Sequence, residues 1–305
     1  MKEIDLSTKL GEITLKNPVI TASGTCGYGQ ELEDYMDLEQ LGALTVKGIT
    51  LQAKTGNPVP RIVETPAGIL NSIGLENPGL EGFLADKIKI IKGYQLPVFV
   101  NISGYSIEDF VLLAEKLAEI SCIAALEVNV SCPNIPGGGL AFGTDPELIY
   151  QITKQVKAAY PGSVIVKLSP NVTAISDMAI AAQEGGADII SLINTLQGMA
   201  IDLERQKPVF ANTFGGLSGP AIKPVALRMV YQVAQKIKIP IIGMGGIMTG
   251  QDAVEFLLAG ASAVAIGTAT LIHPDAPLMI IKEIKAYLQD KKINNIQEII
   301  GKVLN

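Results

Sequence analysis

The sequence has few of the residues from which thiol-rich or imidazole-based sites are built. Its only histidine is His273, and its three cysteines, Cys26, Cys122 and Cys132, lie far apart without a CxxC pair. This spacing argues against a disulfide framework, a zinc site or an iron–sulfur cluster within the chain, and no metal site is expected. Because His273 follows the last predicted strand, where a capping or surface role is expected, a Cys–His hydrolase is not favoured.

Long apolar runs, an excess of positive charge and a dinucleotide-binding fingerprint are also missing. The formal net charge is −6, which argues against nucleic acid as the main partner. Apolar runs such as IPIIGMGGIM are short and contain Gly or Pro, and the first residues alternate charged with apolar side chains, so neither a membrane span nor a signal peptide is expected. GMGGIM does not match GxGxxG. With 48% hydrophobic and 18% charged residues, the sequence is typical of a globular protein. Because the cysteine spacing argues against a disulfide framework, a reducing cytoplasm is the expected location.

The sequence does contain a repeat in which short apolar strands alternate with helical patterns. Strands are predicted over 17–23, 43–48, 97–103, 125–131, 163–169, 188–194, 239–246 and 262–268. Helices are predicted over 31–41, 77–93, 107–121, 145–160, 175–185, 222–237, 250–259 and 275–290. Eight such units favour a (β/α)8 TIM barrel, with parallel strands covered by helices, and we expect it to be a single domain over 1–305.

Three local features add to this prediction. Residues 4–18 are expected to form a hairpin of two short strands that closes the bottom of the barrel. The long segment 56–79 after the second strand is rich in Gly, Pro and Asn and is predicted to be a lid or wall of a functional site. Thr144 and Glu147 are expected to form a capping box for the helix that begins near 145.

Nearly every predicted strand ends on a polar or glycyl residue, and the carboxyl ends of barrel strands are where active sites form. Glycines after the seventh and eighth strands are typical of a phosphate site. Cys132, in NVSCPN, ends the fourth strand and precedes a loop with Gly137, Gly138 and Gly139 that is predicted to close over a substrate. Without a histidine partner, its thiol is better suited to a general base than to an acyl-transfer nucleophile.

Several motifs occur in a specific order along essentially the whole chain. These are Ser23, Lys47, NSIGLENPG, NVSCPN, VKLSP, INT, GGLSGPAIKP, GMGGI and IGT, and in them the sequence resembles the dihydroorotate dehydrogenase family. The resemblance implies oxidation of (S)-dihydroorotate to orotate in pyrimidine biosynthesis, on a barrel that holds one FMN.

The resemblance also implies roles for individual residues. Cys132 matches the base that removes the C5 proton while a hydride passes from C6 to the flavin. Substrate contacts are implied for Lys47, Asn71, Ser72, Ile73, Gly74, Leu75, Asn129, Asn194 and Thr195. FMN contacts are implied for Ser23, Lys47, Gly48, Asn101, Asn129, Lys167, Ile193, Gly219, Gly245, Gly246, Gly267 and Thr268, with Lys167 at the pyrimidine edge and the last four toward the phosphate.

The sequence resembles the cytosolic class 1 in having a cysteine as the base and in showing no N-terminal membrane helix. The segment 210–233 looks most like the NAD-linked class 1B, in which a homodimer of this subunit associates with a subunit that carries FAD and a [2Fe–2S] cluster, giving a heterotetramer. The fumarate-linked class 1A homodimer and a dihydropyrimidine dehydrogenase-like module are the flavoprotein alternatives. From other classes, a Schiff-base aldolase that uses Lys167 and a non-catalytic ligand-binding barrel are the competing hypotheses.

Overall fold

The computed structural model describes residues 4–131 and 142–304, and within them eight parallel strands form a barrel. In chain order, the barrel strands are Val19–Thr21, Leu44–Ile49, Val98–Ile102, Ala125–Asn129, Ser163–Lys167, Ile189–Leu192, Ile241–Met244 and Ala263–Ile266. From the second to the eighth, each strand pairs with the one that follows it along the chain, and the first strand pairs with the eighth. A parallel bridge between Ile20 and Ala43 joins the first strand to the second, so the predicted (β/α)8 barrel is confirmed.

Helices follow the strands and cover the outside of the barrel. The longer ones are Ile107–Ala118, Pro146–Ala159, Ile175–Glu184, Lys223–Ala234, Gly250–Leu258 and Ala276–Asp290, all within predicted segments. Nothing in the described ranges forms a helix long and apolar enough to cross a membrane.

Two helix predictions are wrong in detail. The segment 31–41 contains a single turn, Gln30–Glu33, and a separate 3₁₀ turn, Leu38–Gln40, because the Asp37 side chain accepts a hydrogen bond from Glu39 N and starts a new turn. The segment 77–93 is helical over 79–91, as predicted, with a π-helical turn, Phe83–Lys87, between Gly79–Gly82 and Ile88–Ile91.

The second wrong detail is the predicted capping box. Helix Pro146–Ala159 begins one residue later than that box requires, with Asp145 as the N-cap, and the Asp145 side chain accepts from Glu147 N. Thr144 belongs to the preceding 3₁₀ turn, Phe142–Thr144. Pro146 fits at the first helical position because its nitrogen has no hydrogen to leave unpaired.

The N-terminal hairpin consists of Thr8–Leu10 and Ile13–Leu15, as predicted. Leu10 and Leu15 are fully buried and pack in one cluster with Phe99 and Ile165 inside the barrel. The hairpin therefore closes the amino-terminal end of the barrel, and polar chemistry is confined to the opposite end. A larger apolar cluster fills the space between the strands and the helices.

The long segment after the second strand forms a second sheet that the sequence analysis did not predict. Ile62–Thr65 and Gly68–Asn71 pair with each other, and Gly68–Asn71 pairs with Phe214–Ser218, which pairs with Leu196–Met199. A small hairpin of Ile201–Asp202 and Lys207–Pro208 extends from it. The sheet joins the connections after the second and sixth barrel strands and forms a wall beside the barrel mouth.

Candidate active site

A layer of polar side chains crosses the barrel interior above its apolar core. Side chains alternate along a strand, so Asn101 lies two residues above Phe99, and Lys167 lies two residues above Ile165. Glu127 is 3% exposed and accepts hydrogen bonds from Asn101 Nδ2 at 2.7 Å and Ser191 Oγ at 2.9 Å. Four consecutive strands, from the third to the sixth, therefore contribute to one buried polar layer.

Lys167 carries the positive charge of this layer. Its Nζ lies 3.7 Å from Glu127 Oε2, and only 6% of its side chain is exposed. Burial of a lone ammonium is costly, and Glu127 supplies the opposite charge that offsets the cost. Glu127 was missed by the sequence analysis. A glutamate within the apolar strand ALEVN, two residues before Asn129 and so on the same inward face, was the available signal.

Asn129 and Asn194 meet above the polar layer. Asn194 Nδ2 donates to Asn129 Oδ1 at 3.2 Å, and Asn129 Nδ2 donates to Ser103 Oγ at 3.3 Å. Asn194 Oδ1 accepts from Thr195 N at 2.8 Å. These amides come from the ends of the fourth and sixth strands and bring three predicted substrate contacts together at one mouth.

Lys47 lies at the same end of the barrel, on the second strand. It lies where the strand register shifts between Val46 and Ile49, and it is half-buried. Among the described residues Lys47 has no carboxylate within ion-pair distance. Within the described ranges, the charge of its ammonium is therefore not neutralised by a carboxylate.

The segment Asn71–Leu75 leaves the wall sheet toward the mouth. Asn71 Nδ2 donates to Gly216 O at 3.2 Å, which fixes it against the neighbouring strand. Asn57 Nδ2 donates to Ser72 O and Ser72 Oγ, and Asn57 N donates to Ile73 O. Leu75 has φ of 56°, a left-handed conformation that is uncommon for leucine. This bend is held by its surroundings rather than by local preference.

Arg61 stabilises this wall from outside. Its guanidinium contacts Glu76 Oε2 at 2.7 Å and Thr55 O at 2.8 Å, while Arg61 O accepts from Ser72 N. Arg61 thus contacts both ends of the segment that carries five predicted substrate contacts, with its backbone oxygen at Ser72 and its side chain at Glu76.

Segments from the connections after the sixth, seventh and eighth strands line another side of the mouth, and two of them are glycyl. Gly219 and Gly246 have φ of 97° and 74°, and a Cβ at Gly246 would lie 2.8 Å from Gly219 O. The two backbones approach so closely that neither position tolerates a side chain. Thr268 Oγ1 donates to Ser218 Oγ at 2.9 Å and so joins the eighth strand's end to the same region.

The other predicted cofactor contacts also follow barrel strands. Gly48 faces Asn101, whose Oδ1 leaves no room for a Cβ at that position. Ile193 is buried, and its N donates to Met244 O. Gly245 follows the seventh strand, Gly267 follows the eighth, and Ser23 follows the first and is half-buried.

The cysteines differ in their surroundings. Burial raises the pKa of Cys26 to about 12, and its Sγ donates to Thr45 O. Burial also raises the pKa of Cys122. The predicted base, Cys132, lies outside the described residues, as do Gly137, Gly138 and Gly139; it follows directly on Ser131, two residues beyond the end of the fourth strand. The described part of the chain has no group of three or more His, Cys, Asp or Glu side chains placed to hold a metal ion.

Comparison with known proteins gives consistent matches over the full chain. The family model described as dihydroorotate dehydrogenase matches residues 5–288. The chain is 52% identical over 304 residues to a protein of Geotalea uraniireducens, covering 100% of both chains. It is 53% identical to one of Geobacter sulfurreducens, covering 99% of both, and 52% identical to one of Thermoanaerobacter pseudethanolicus, covering 98% of both. All three carry the name dihydroorotate dehydrogenase B (NAD(+)), catalytic subunit.

Proposed function

Since the chain belongs to the dihydroorotate dehydrogenase family, we propose that it oxidises (S)-dihydroorotate to orotate as the catalytic subunit of an NAD-linked enzyme. The observation that carries this proposal is the arrangement of charges and amides at the mouth. The Lys47 ammonium, which has no carboxylate partner among the residues that the structure describes, lies at the same end of the barrel as the amides of Asn129 and Asn194. These groups suit a substrate that is both a carboxylate and a cyclic diamide, because each asparagine amide both donates and accepts.

The residues on the side of the mouth away from Lys47 and the asparagine amides fit an FMN. Gly219 and Gly246 lie in close backbone contact, here called the glycyl cradle, in the connections after the sixth and seventh strands, where backbone N–H groups of a barrel suit a phosphate. Lys167 and Asn101 provide a buried cation and a buried amide for the polar edge of the ring. When bound, FMN would supply the hydride acceptor that the side chains of this chain lack.

The roles of the chain's own residues follow from this placement. Lys47 would bind the substrate carboxylate, and Asn71–Leu75, Asn129, Asn194 and Thr195 would orient the ring. Lys167 lies inside the barrel in an ion pair with Glu127, an arrangement that suits stabilisation of negative charge on the FMN ring better than attack on a substrate carbonyl. Cys132 would remove the C5 proton as the general base, a role that rests on the family resemblance and on the position of Cys132 just beyond the fourth strand.

The final electron acceptor requires a partner. The relatives' names describe a catalytic subunit and NAD(+), and a dinucleotide fingerprint is missing from this sequence. We propose that this chain acts as a single-domain barrel, forms a homodimer, and associates with a subunit that carries FAD and a [2Fe–2S] cluster, as a heterotetramer.

The first experiment is an anaerobic titration of the purified, FMN-loaded protein with dihydroorotate, followed by visible absorption. We expect the flavin band to bleach, and we expect Cys132→Ser to bleach far more slowly while Cys122→Ser matches wild type. NAD reduction is expected only after the partner subunit is added. A protein that binds no FMN, or whose flavin band does not respond to dihydroorotate, would refute the proposal.

A further inference from the structure

Three charged side chains join the beginnings of two helices beside the glycyl cradle. Lys223, the first residue of Lys223–Ala234, places Nζ 2.5 Å from Asp252 Oδ1 and 2.9 Å from Glu255 Oε2, both on Gly250–Leu258. The side chains of Lys223 and Asp252 are 24% and 16% exposed. Burial by itself would lower the pKa of Lys223, but hydrogen bonds to the two carboxylates and their charges outweigh it and raise that pKa. Lys223 therefore stays charged, and the cluster as a whole carries a net negative charge.

Asp252 connects this cluster to the loop after the seventh strand. Its Oδ2 accepts from Met248 N and Thr249 N, each at 2.9 Å, and from Thr249 Oγ1 at 3.0 Å. Thr249 in turn caps the helix as part of a capping box. Oδ2 of Asp252 thus fixes the loop, and Oδ1 of the same carboxylate fixes the Lys223 side chain.

The backbone of Lys223 completes the connection to the cradle. A Cβ at Gly246 would lie 2.7 Å from both N and Cβ of Lys223, and 2.8 Å from Gly219 O. Gly219, Lys223 and Gly246 are therefore packed against one another at the backbone, and the Lys223 side chain holds the next turn of the loop through Asp252.

We propose that Lys223 is a positioning residue for the flavin phosphate, which sets the spacing between the two glycyl segments through its ion pair with Asp252. The inference rests on the proposed function, because it requires that the cradle hold the phosphate of FMN. Lys223 does not serve as the phosphate's own counter-charge, since two carboxylates already neutralise it.

The test compares FMN with riboflavin, which has the same ring and no phosphate. FMN affinity is measured by the fluorescence of flavin released from the holoprotein on dilution, and riboflavin affinity by titration of the deflavinated protein. We expect Lys223→Met and Asp252→Asn each to weaken FMN binding about tenfold, a loss of about 1.4 kcal/mol, and to leave riboflavin binding within about twofold. Lys223→Arg should retain most of the FMN affinity, because it keeps both ion pairs. Lys236→Met, exposed just after the same helix, is the matched control and should change neither affinity.

Asp252→Asn separates positioning from direct binding. If Lys223 contacted the phosphate directly, freeing it from Asp252 would preserve or strengthen FMN binding, and that result would overturn the proposal. Equal losses for FMN and riboflavin, or no loss in Lys223→Met, would overturn it as well. If Lys223→Met fails to fold, Asp252→Asn carries the same test. Wild-type protein that binds FMN and is bleached by dihydroorotate upholds the proposed function whatever these variants do, whereas failure of wild type to bind FMN would refute both.

Discussion

The buried pair of Glu127 and Lys167 is expected to be strongly coupled, and Glu127→Gln measures that coupling. The two side chains are 3% and 6% exposed, with 3.7 Å between Nζ and Oε2. At an effective dielectric constant of about 20, this separation gives an attraction of about 4.5 kcal/mol. Glutamine has the same shape and still accepts from Asn101, so the change removes mainly the charge. We expect the free energy of unfolding to fall by about 3–5 kcal/mol, because the Lys167 ammonium is left buried without a partner.

Thermal unfolding of the FMN-free and FMN-saturated proteins checks this value. For a chain of 305 residues, an unfolding entropy of about 2.1 cal/mol/K per residue converts a loss of about 4 kcal/mol into a drop in Tm of about 6 °C. Glu127→Gln, Lys167→Met and the double variant complete a cycle in which the double should lose at least about 2 kcal/mol less than the sum of the singles. Glu119→Gln, at an exposed position, is the control and should shift Tm by less than about 1 °C. A Tm for Glu127→Gln that equals wild type, or additive losses around the cycle, would refute the reasoning.

Two further predictions concern cysteine reactivity and acid stability. With iodoacetamide at pH 8, Cys26 should stay unmodified in the native protein because burial raises its pKa to about 12, while the partly exposed Cys122 should react slowly. Peptide mass spectrometry measures the labelling of both cysteines, with denatured protein as the control. Equal labelling of both in the native protein would contradict it. Burial alone would raise the pKa of Asp252, but hydrogen bonds from Lys223, Met248 and Thr249 outweigh it and hold the folded-state pKa below 3.8. The ionised carboxylate therefore stabilises the fold above pH 3.8, and this stabilisation is lost as the pH falls through the folded-state pKa. The Tm difference between wild type and Asp252→Asn should therefore shrink from pH 6 to pH 3, and a constant difference would show that the charge is not its source.

The barrel and the location of the site follow from patterns that act over short distances. Continuous apolar strands predict burial on both faces, and the residue that ends each strand predicts which groups meet at the mouth, because parallel strands end on one side. Lys47, Asn129 and Asn194 were found in this way. The helix over 31–41 was wrong because its composition suits a helix while Asp37 stabilises a turn within it.

What the sequence did not reveal depends on pairing between distant segments. The wall sheet joins residues near 70 to residues near 216, and glycines in both strands hide the alternation that predicts a strand. Glu127 was missed for a different reason. The apolar neighbours of Glu127 predict a strand but no function for it. Residues at strand ends predict the site, whereas this buried counter-charge lies in the middle of a strand.

The three lysines near the site differ in what the protein does with their charge, and this difference separates their roles. Lys167 is paired with one carboxylate inside the barrel, and Lys223 is paired with two beside the glycyl cradle. Lys47 has no such partner in the described ranges and is half-buried at the mouth. Because a half-buried cation gains most from an incoming anion when no carboxylate competes for it, Lys47 is the lysine best suited to a negatively charged substrate. The neutralised pairs instead fix the groups around it, so substrate charge is recognised at one position while the others maintain geometry.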